Sequence, residues 1–376
     1  MKCNHLGKGT ESMINRVRKS FALAKECKHG GKVHEASGLL GAEPLDFSAN
    51  INPLGSPPLG NLVLEELKRI GHYPDNTYRL FRRAAADFVE VGPEHIVPGN
   101  GSSELIRLFA EVCLEEGDLA LIPFPTFGEY ENQSLLAGGA VKKTEIGKDG
   151  LPVLCESDLN QAKALFLCNP NNPTGKLLSR EMVLDLAQRC EQKGVFFLVD
   201  EAFIELADPG QSVASIAPSM NYLFVMRSLT KSFGVPGLRL GFGVTNAALA
   251  KIMNLARVPW SVSSIAAAAG VYLLGCKEHL HRSRELIGEE RAFLIAALQS
   301  LGLEPLPSSV NFILVNIERS GLSSERLAER TMACGVLVRD CQSFGLGKSY
   351  IRVAVRGREE NKQLVAALEK ALKCRD

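Results

Sequence analysis

Lys231 is a cation in an unexpected place, between the apolar run YLFVM (222–226) and the glycine-rich, strongly apolar stretch SFGVPGLRLGF (232–242). A lysine must lose its proton before its amine can attack a carbonyl carbon, and burial near other cations lowers its pKa toward that condition. Arg239, eight residues further on, is such a cation. The alternative is an ordinary surface lysine, so the neighbouring motifs decide between the two.

Three more polar motifs follow strand-like segments. GNGSSE (99–104) precedes a helix-like segment, so the free backbone N–H groups and the hydroxyls of Ser102 and Ser103 suit a phosphate. NPNNPTG (169–175) is a proline-constrained loop after the strand-like KALFLC. DEAF ends the apolar run VFFLV and puts Asp200 where open α/β sheets bind ligands. Each motif alone also fits a plain turn or a helix cap, but together they favour one site.

Composition narrows the class of partner. The 376 residues carry 43 basic and 42 acidic side chains without long charged blocks, which argues against nucleic acid or a membrane surface and favours a small molecule. No apolar run reaches the ~18 residues that span a bilayer, and no signal peptide is evident, so we expect a cytoplasmic protein. The ten cysteines are scattered without CxxC pairs, which predicts reduced thiols, mostly buried, and no metal site.

The pattern of elements predicts an α/β fold. From about 60 to 245, helix-like and strand-like segments alternate, as in a parallel sheet wrapped by helices. In SREMVLDLAQRCEQKG, Ser179 can cap a helix that Gly194 ends. The run IAAAAGVYLLG (265–275) predicts a buried helix, and the strand-like NFILVNI and YIRVAV fall in a second unit.

Taken together, the four motifs resemble the fold-type-I pyridoxal-phosphate enzymes of the aspartate aminotransferase family, over nearly all of the chain after the first 28 residues. The resemblance implies a large domain with a mostly parallel seven-stranded sheet wrapped by helices, and a smaller α/β domain. It implies an N-terminal extension (1–28), a segment contributing to the small domain and the active site (29–58), a large cofactor-binding domain (59–275) and a small C-terminal domain (276–376).

The resemblance also implies residue roles. Lys231 would hold pyridoxal phosphate as a Schiff base, Asp200 would pair with the pyridinium nitrogen, and Asn172 would bond the ring hydroxyl. A carboxylate at that nitrogen keeps it protonated, so the ring can accept electrons from a carbanion. Stacking on the ring falls to Phe127, and binding of the cofactor phosphate to Ser102, Ser103, Ser228 and Arg239.

A homodimer with shared active sites is implied as well. In GHYPDNTYRLF, Tyr73 is the better match to the family tyrosine that reaches the partner's cofactor phosphate, whereas Tyr78 could belong to the core.

Three further stretches resemble the threonine-phosphate decarboxylases of cobalamin biosynthesis: HGGKVHEASGLLG, LDFSANINPLG and PWSVSSIAAAAG. In addition, DEAF carries Phe203 where aminotransferases usually have a tyrosine. The implied reaction converts O-phospho-L-threonine to (R)-1-amino-2-propanol O-2-phosphate. The implied contacts to this phosphorylated amino acid are His29, Gly30, Asn50, Asn172, Arg339 and Arg352.

Other functions remain open at this stage. Histidinol-phosphate aminotransferase is the nearest alternative, and O-phospho-L-serine differs from O-phospho-L-threonine by one methyl group. Ser228-x-x-Lys231 also fits the S-x-x-K of penicillin-binding proteins, but no K-T-G or S-D-N motif is present. A non-catalytic binding protein is less compatible with the joint presence of Lys231, Asp200, Asn172 and Arg239.

Overall fold

The computed structural model describes residues 16–22, 27, 30–31 and 33–374. Its strands are β1 (Leu45–Asp46), β2 (Ile96–Gly99), β3 (Leu119–Phe124), β4 (Ala140–Glu145), β5 (Ala162–Cys168), β6 (Phe196–Asp200), β7 (Leu223–Ser228), β8 (Gly241–Val244), β9 (Glu304–Pro305), β10 (Phe312–Asn316), β11 (Val336–Leu337), β12 (Arg339–Asp340) and β13 (Tyr350–Ala354).

The helices are α1 (Lys19–Ala22), α2 (Val33–Leu40), α3 (Gly60–Leu67), α4 (Arg79–Val89), α5 (Ser102–Cys113), α6 (Glu129–Ala137), α7 (Glu156–Gln161), α8 (Arg180–Lys193), α9 (Leu229–Ser232), α10 (Ala247–Ala256), α11 (Ser264–Gly275), α12 (Lys277–Ser300), α13 (Ser324–Ala333) and α14 (Arg358–Lys373).

The central sheet has seven strands in the order β2-β8-β7-β6-β5-β3-β4. Strands β4, β3, β5, β6 and β7 pair in parallel, while β8 is antiparallel to both of its neighbours. Parallel strands end at the same edge of a sheet, so the loops after β5, β6 and β7 lie side by side. The predicted α/β fold with a mostly parallel seven-stranded sheet is confirmed.

Local signals define α8 as the sequence predicts. The Ser179 hydroxyl accepts a hydrogen bond from the Met182 amide at 3.3 Å, which satisfies one of the free N–H groups of the first turn. Gly194 ends the helix at φ +68°, a left-handed conformation that suits glycine.

The core of the large domain lies on both faces of the sheet. In β6, Phe197 and Val199 pack into one cluster with the helices on that face, while Leu198 packs into a second cluster with Phe109. The ring of Phe109 lies 5.7 Å from that of Phe224. Burial on both faces explains why the strand is an unbroken apolar run in the sequence.

The small domain is built on an antiparallel sheet in the order β12-β13-β10-β9. Strand β1 pairs in parallel with β11, so the segment before the large domain is tied to the small one. Phe47, with no exposed surface, joins the same core cluster as β10 and β13. Only Cys276 separates α11 from α12, so no linker marks the predicted boundary at 275. The boundaries at 28, 58 and 275 stay predictions.

Two expectations about apolar residues are met in part. One face of α11 is buried through Ala266, Ala269 and Leu273, but Val271 and Tyr272 are exposed, so this helix is not buried all round. Of the nine described cysteines, all free, four are buried (Cys113, Cys168, Cys190 and Cys341). No helix within the described ranges is long and apolar enough to cross a membrane.

Candidate active site

A cavity of about 830 Å³ lies where the carboxyl ends of β5 and β6 face the small domain. It brings together residues from motifs far apart in the sequence. Eleven of the site residues predicted from the sequence line this cavity: Gly30, Asn50, Ser102, Ser103, Phe127, Asn172, Asp200, Lys231, Arg239, Arg339 and Arg352.

The remaining predicted residues lie elsewhere. Ser228 is buried, and its hydroxyl lies 2.8 Å from that of Thr230, which does line the cavity. Tyr73 is 80% exposed outside the cavity, with its ring 4.6 Å from that of Trp260. Tyr78 belongs to the core, where its hydroxyl donates to the Val262 carbonyl at 3.0 Å. His29 lies outside the described residues.

Lys231 projects from α9, a single turn that directly follows β7. Its Nζ lies 6.0 Å from the centre of the Phe203 ring, and no carboxylate of the described residues is within ion-pair distance. Burial, together with the charges of Arg352 and Arg239, lowers the pKa of Lys231 to about 8. The neutral, nucleophilic amine is therefore far more populated near neutral pH than it is for an ordinary lysine.

Asp200 ends β6 with only 4% of its surface exposed. One carboxylate oxygen accepts from the Tyr130 hydroxyl at 2.7 Å and the other from the Ala202 amide at 2.9 Å. Burial raises the pKa of Asp200 to about 6, so the group is still mostly ionised at pH 7. Such a carboxylate can hold a proton on a ring nitrogen.

Tyr130 was missed by the sequence analysis. It lies in the first turn of α6, three residues after Phe127 in PFPTFGEY, so its proximity to the predicted stacking residue was an available signal. Burial and the Asp200 charge raise the pKa of Tyr130 well above its usual value. The phenol therefore stays protonated and serves as a hydrogen-bond donor.

The start of α5 and Arg239 form an anion cradle. Gly101 has φ +78°, and a Cβ atom there would lie 2.6 Å from Arg239 Nη2, so the absence of a side chain lets the guanidinium approach the helix N-terminus. Ser102 and Ser103 add hydroxyls to the free N–H groups of this twelve-residue helix. Backbone amides, hydroxyls and a guanidinium are the donor set that a phosphate requires.

Arg352 is a second buried cation, with 5% exposure. It donates to Asn172 Oδ1 and, at 2.9 Å, to the Ser48 carbonyl. Phe312 and Phe344 flank the guanidinium at 5.2 and 5.7 Å. Burial lowers the pKa of Arg352 to about 10. With no carboxylate partner among the described residues, this guanidinium suits an anionic ligand.

The far end of the cavity is also polar. Arg339 donates to the Ser343 hydroxyl at 2.8 Å and lies over the Phe344 ring. Asn50 is 3% exposed, and its Oδ1 has no hydrogen-bond partner among the described residues. A Cβ on Gly30 would lie 2.5 Å from the Ser48 carbonyl oxygen, so close backbone approach requires glycine there. The cavity thus combines a nucleophilic amine, a buried carboxylate and two regions suited to anions.

The lowered pKa of Lys231 leads to a prediction for the cofactor-free protein. The rate of Lys231 acetylation should rise with pH along a titration curve whose midpoint lies near pH 8, because only the neutral amine reacts. Arg352→Met should move the midpoint upward by removing a neighbouring positive charge, as measured by peptide mass spectrometry. Arg358→Met, in the small domain, is the control expected to leave it in place. A Lys231 midpoint above pH 10 in the wild type would contradict the assigned environment.

The comparisons with known proteins agree with this geometry. The family model for aminotransferase class I and II matches residues 42–368. A histidinol-phosphate aminotransferase of Symbiobacterium thermophilum is 34% identical over 363 residues, 96% of this chain and 99% of that protein. A threonine-phosphate decarboxylase of Salmonella typhimurium is 34% identical over 356 residues, 92% and 96% of the two chains.

Among solved structures, L-threonine-O-3-phosphate decarboxylase from Porphyromonas gingivalis superimposes with a TM-score of 0.78 at 26% identity, over 88% of this chain and all of that one. The fold class and the pyridoxal-phosphate dependence expected from the sequence are thereby confirmed at the level of the family. Relatives with two different activities match about equally well. The chain belongs to the class I and II aminotransferases, a family of pyridoxal-phosphate enzymes.

Proposed function

We propose that the protein is a threonine-phosphate decarboxylase that binds pyridoxal phosphate through Lys231 and converts O-phospho-L-threonine to (R)-1-amino-2-propanol O-2-phosphate, for cobalamin synthesis. Phe203 is the residue that favours decarboxylation over transamination. It is 4% exposed and lines the cavity near Lys231. Its ring packs against Phe312 at 5.1 Å and offers no hydroxyl to the cofactor ring oxygen.

The cofactor, when bound, supplies an electron-accepting ring. Asp200, mostly ionised at pH 7 and fixed by Tyr130, holds the proton on the ring nitrogen. Asn172 accepts from Arg352 through Oδ1, so its Nδ2 would be the group that donates to the ring oxygen. The helix start at Ser102 and Ser103 binds the cofactor phosphate, with Arg239 as its cation.

Substrate orientation falls to the two arginines of the small domain. Arg352, fixed by Asn172 and the Ser48 carbonyl, binds the carboxylate end of the substrate, while Arg339 with Asn50 and Gly30 surrounds its phosphate. By holding both anionic ends of the substrate, these contacts would fix the orientation of the carboxylate that is lost as carbon dioxide. After carbon dioxide leaves, Lys231 returns a proton to the alpha carbon.

A direct assay tests this assignment. The pyridoxal-phosphate-loaded enzyme should release carbon dioxide from O-phospho-L-threonine without 2-oxoglutarate, measured by trapping labelled carbon dioxide. Histidinol-phosphate aminotransferase is the second candidate, favoured by the Symbiobacterium relative. Formation of glutamate from histidinol phosphate and 2-oxoglutarate, without carbon dioxide release, would replace the decarboxylase by this candidate.

O-phospho-L-serine is the matched substrate control in the same assay. It lacks one methyl group, a difference worth about 1–3 kcal/mol in an apolar pocket, or roughly 10- to 200-fold in kcat/KM. We expect O-phospho-L-threonine to be preferred by a factor in this range. A reversed preference would reassign the substrate while keeping the reaction.

Phe203 provides the second test. The Phe203→Tyr variant should gain measurable transaminase turnover, because the new hydroxyl can hydrogen-bond the ring oxygen. The ratio of carbon dioxide to keto product, measured on the same substrate, is the readout. Phe203→Leu removes the ring without adding a hydroxyl and should gain no transaminase turnover. If Phe203→Tyr and the wild type give the same ratio of carbon dioxide to keto product, Phe203 does not determine the choice of reaction.

A homodimer with shared active sites is part of the proposal. Large apolar side chains are exposed on or beside α3, α4 and α10, and the exposed Tyr73 ring contacts that of Trp260. They are Leu64, Leu67, Ile70, Leu80, Ile252, Leu255, Val258 and Trp260. Large apolar side chains left exposed in a single chain are typical of subunit interfaces when they gather on one surface. Tyr73, 80% exposed in the single chain, is then available to the partner's cofactor phosphate.

Sedimentation equilibrium tests the dimer. The wild type should sediment with twice the chain mass, and Leu255→Glu should shift it toward the monomer because a carboxylate replaces a side chain that is 87% exposed on this surface. Val153→Glu, at an exposed site away from these helices, is the control that should stay dimeric. A wild type that sediments as a monomer at all concentrations contradicts the shared site.

A further inference from the structure

Behind the candidate active site lies a buried cluster of charges made of Glu201, Glu205 and Arg227, each at most 5% exposed. Consecutive residues of a strand point to opposite faces. Asp200 therefore faces the cavity while Glu201, the next residue, faces away from it, and Arg227 lies beside Glu201 at the end of the neighbouring strand β7. None of the three side chains is used by the proposed reaction.

The cluster is closely bonded. Arg227 Nη1 donates to Glu205, and Arg227 Nε lies 2.8 Å from Glu201 Oε2, an ion pair without hydrogen-bond alignment. Arg227 Nη2 donates to the Ser212 hydroxyl at 2.6 Å, and Ser212 donates in turn to Glu201 at 2.7 Å. Burial opposes the charge of Arg227, but the two carboxylates outweigh it and raise its pKa above the ordinary value.

Two carboxylates share one guanidinium, so the fully ionised cluster carries a net charge of about −1. Burying such a group costs several kcal/mol per ion before pairing, and apolar residues of similar size often stabilise a fold as well or better. Stability alone is therefore a weak explanation for the cluster. The elements to which the cluster is hydrogen-bonded indicate another role.

One connection leads to Lys231. Ser232 is the residue after it, and its hydroxyl hydrogen is shared between Glu205 Oε2 at 3.1 Å and the Ser228 carbonyl at 3.2 Å. The Ser232 carbonyl accepts from Asn52 Nδ2 at 2.7 Å. The turn α9 contains only four residues, and one helical turn is unstable alone because nucleation fixes several backbone angles for a single hydrogen bond. Contacts from outside must hold this turn in place.

We propose that Arg227, Glu201 and Glu205 form a positioning cluster that fixes the Lys231 turn through the Ser232 hydroxyl, and so controls how tightly the cofactor is bound. The inference rests on the proposed cofactor role of Lys231. The cluster lies on the face opposite the cavity and touches no reacting atom. It acts by reducing the freedom of the backbone from Ser228 to Ser232 before the cofactor arrives.

Two substitutions test the connection, and each has a matched control in the small domain. Ser232→Ala removes the linking hydroxyl, and its control is Ser324→Ala, where a fully buried serine donates to Asp340 at 2.6 Å. Glu205→Gln removes one charge of the cluster, and its control is Glu290→Gln, where a buried carboxylate accepts from Arg358 at 2.9 Å.

The readouts are the dissociation constant of pyridoxal phosphate, from its visible absorbance, and the fraction of Lys231 trapped by borohydride, from peptide mass spectrometry. Thermal unfolding of the cofactor-free protein reports stability separately. Ser232→Ala and Glu205→Gln should weaken cofactor binding by at least about tenfold, the lower end of the effect of one hydrogen bond to a charged group. The controls should stay within about twofold of wild type, even where they lower the melting temperature equally.

Cofactor binding unchanged in Ser232→Ala, or weakened equally in both members of a pair, overturns the inference. If Glu205→Gln does not fold, the serine pair decides alone. A wild type that links the cofactor at Lys231 but releases no carbon dioxide refutes the proposed reaction and leaves the positioning test intact. A wild type that forms no link at Lys231 refutes both.

Discussion

The parallel pairing of β5, β6 and β7 is the constraint on which the rest of the site depends. Cys168 pairs with Asp200 and Asp200 with Met226, so the three strands end within one residue or two of each other. Whatever follows them must share one edge of the sheet. The loop with Asn172, the Asp200 carboxylate and the turn with Lys231 are therefore neighbours because of backbone hydrogen bonding, before any side chain contributes.

Burial at this edge acts on the two charged groups in opposite senses. Burial disfavours the charged form of any group, so it raises the pKa of the acid Asp200 to about 6 and lowers the pKa of the base Lys231 to about 8. At pH 7 the carboxylate is still mostly ionised, and about a tenth of the amine is neutral, compared with well under a thousandth at the ordinary lysine pKa. One cavity thus leaves the carboxylate largely charged while it makes the neutral amine accessible near neutral pH.

The same framework serves two reactions among the relatives, a transamination and a decarboxylation. The Lys231 amine, the Asp200 carboxylate and the anion cradle at Arg239 suit either reaction, so they do not discriminate between transamination and decarboxylation. In the proposed function, the choice depends on smaller differences at the ring oxygen and on how Arg352 and Arg339 orient the substrate. Phe203, whose ring contacts that of Phe312 and lies 6.0 Å from Lys231 Nζ, is the residue that the proposal connects most directly with this choice.

The sequence by itself determined the features that depend on local order: the caps of α8, the apolar strands, and the polar residues that directly follow them, including Asp200 and Lys231. Only the tertiary structure decided which distant groups meet. Tyr130 reaches Asp200 across 70 positions and Arg352 reaches Asn172 across 180. Periodicity and capping act over a few residues, whereas these contacts depend on how separate elements pack, which no local pattern encodes.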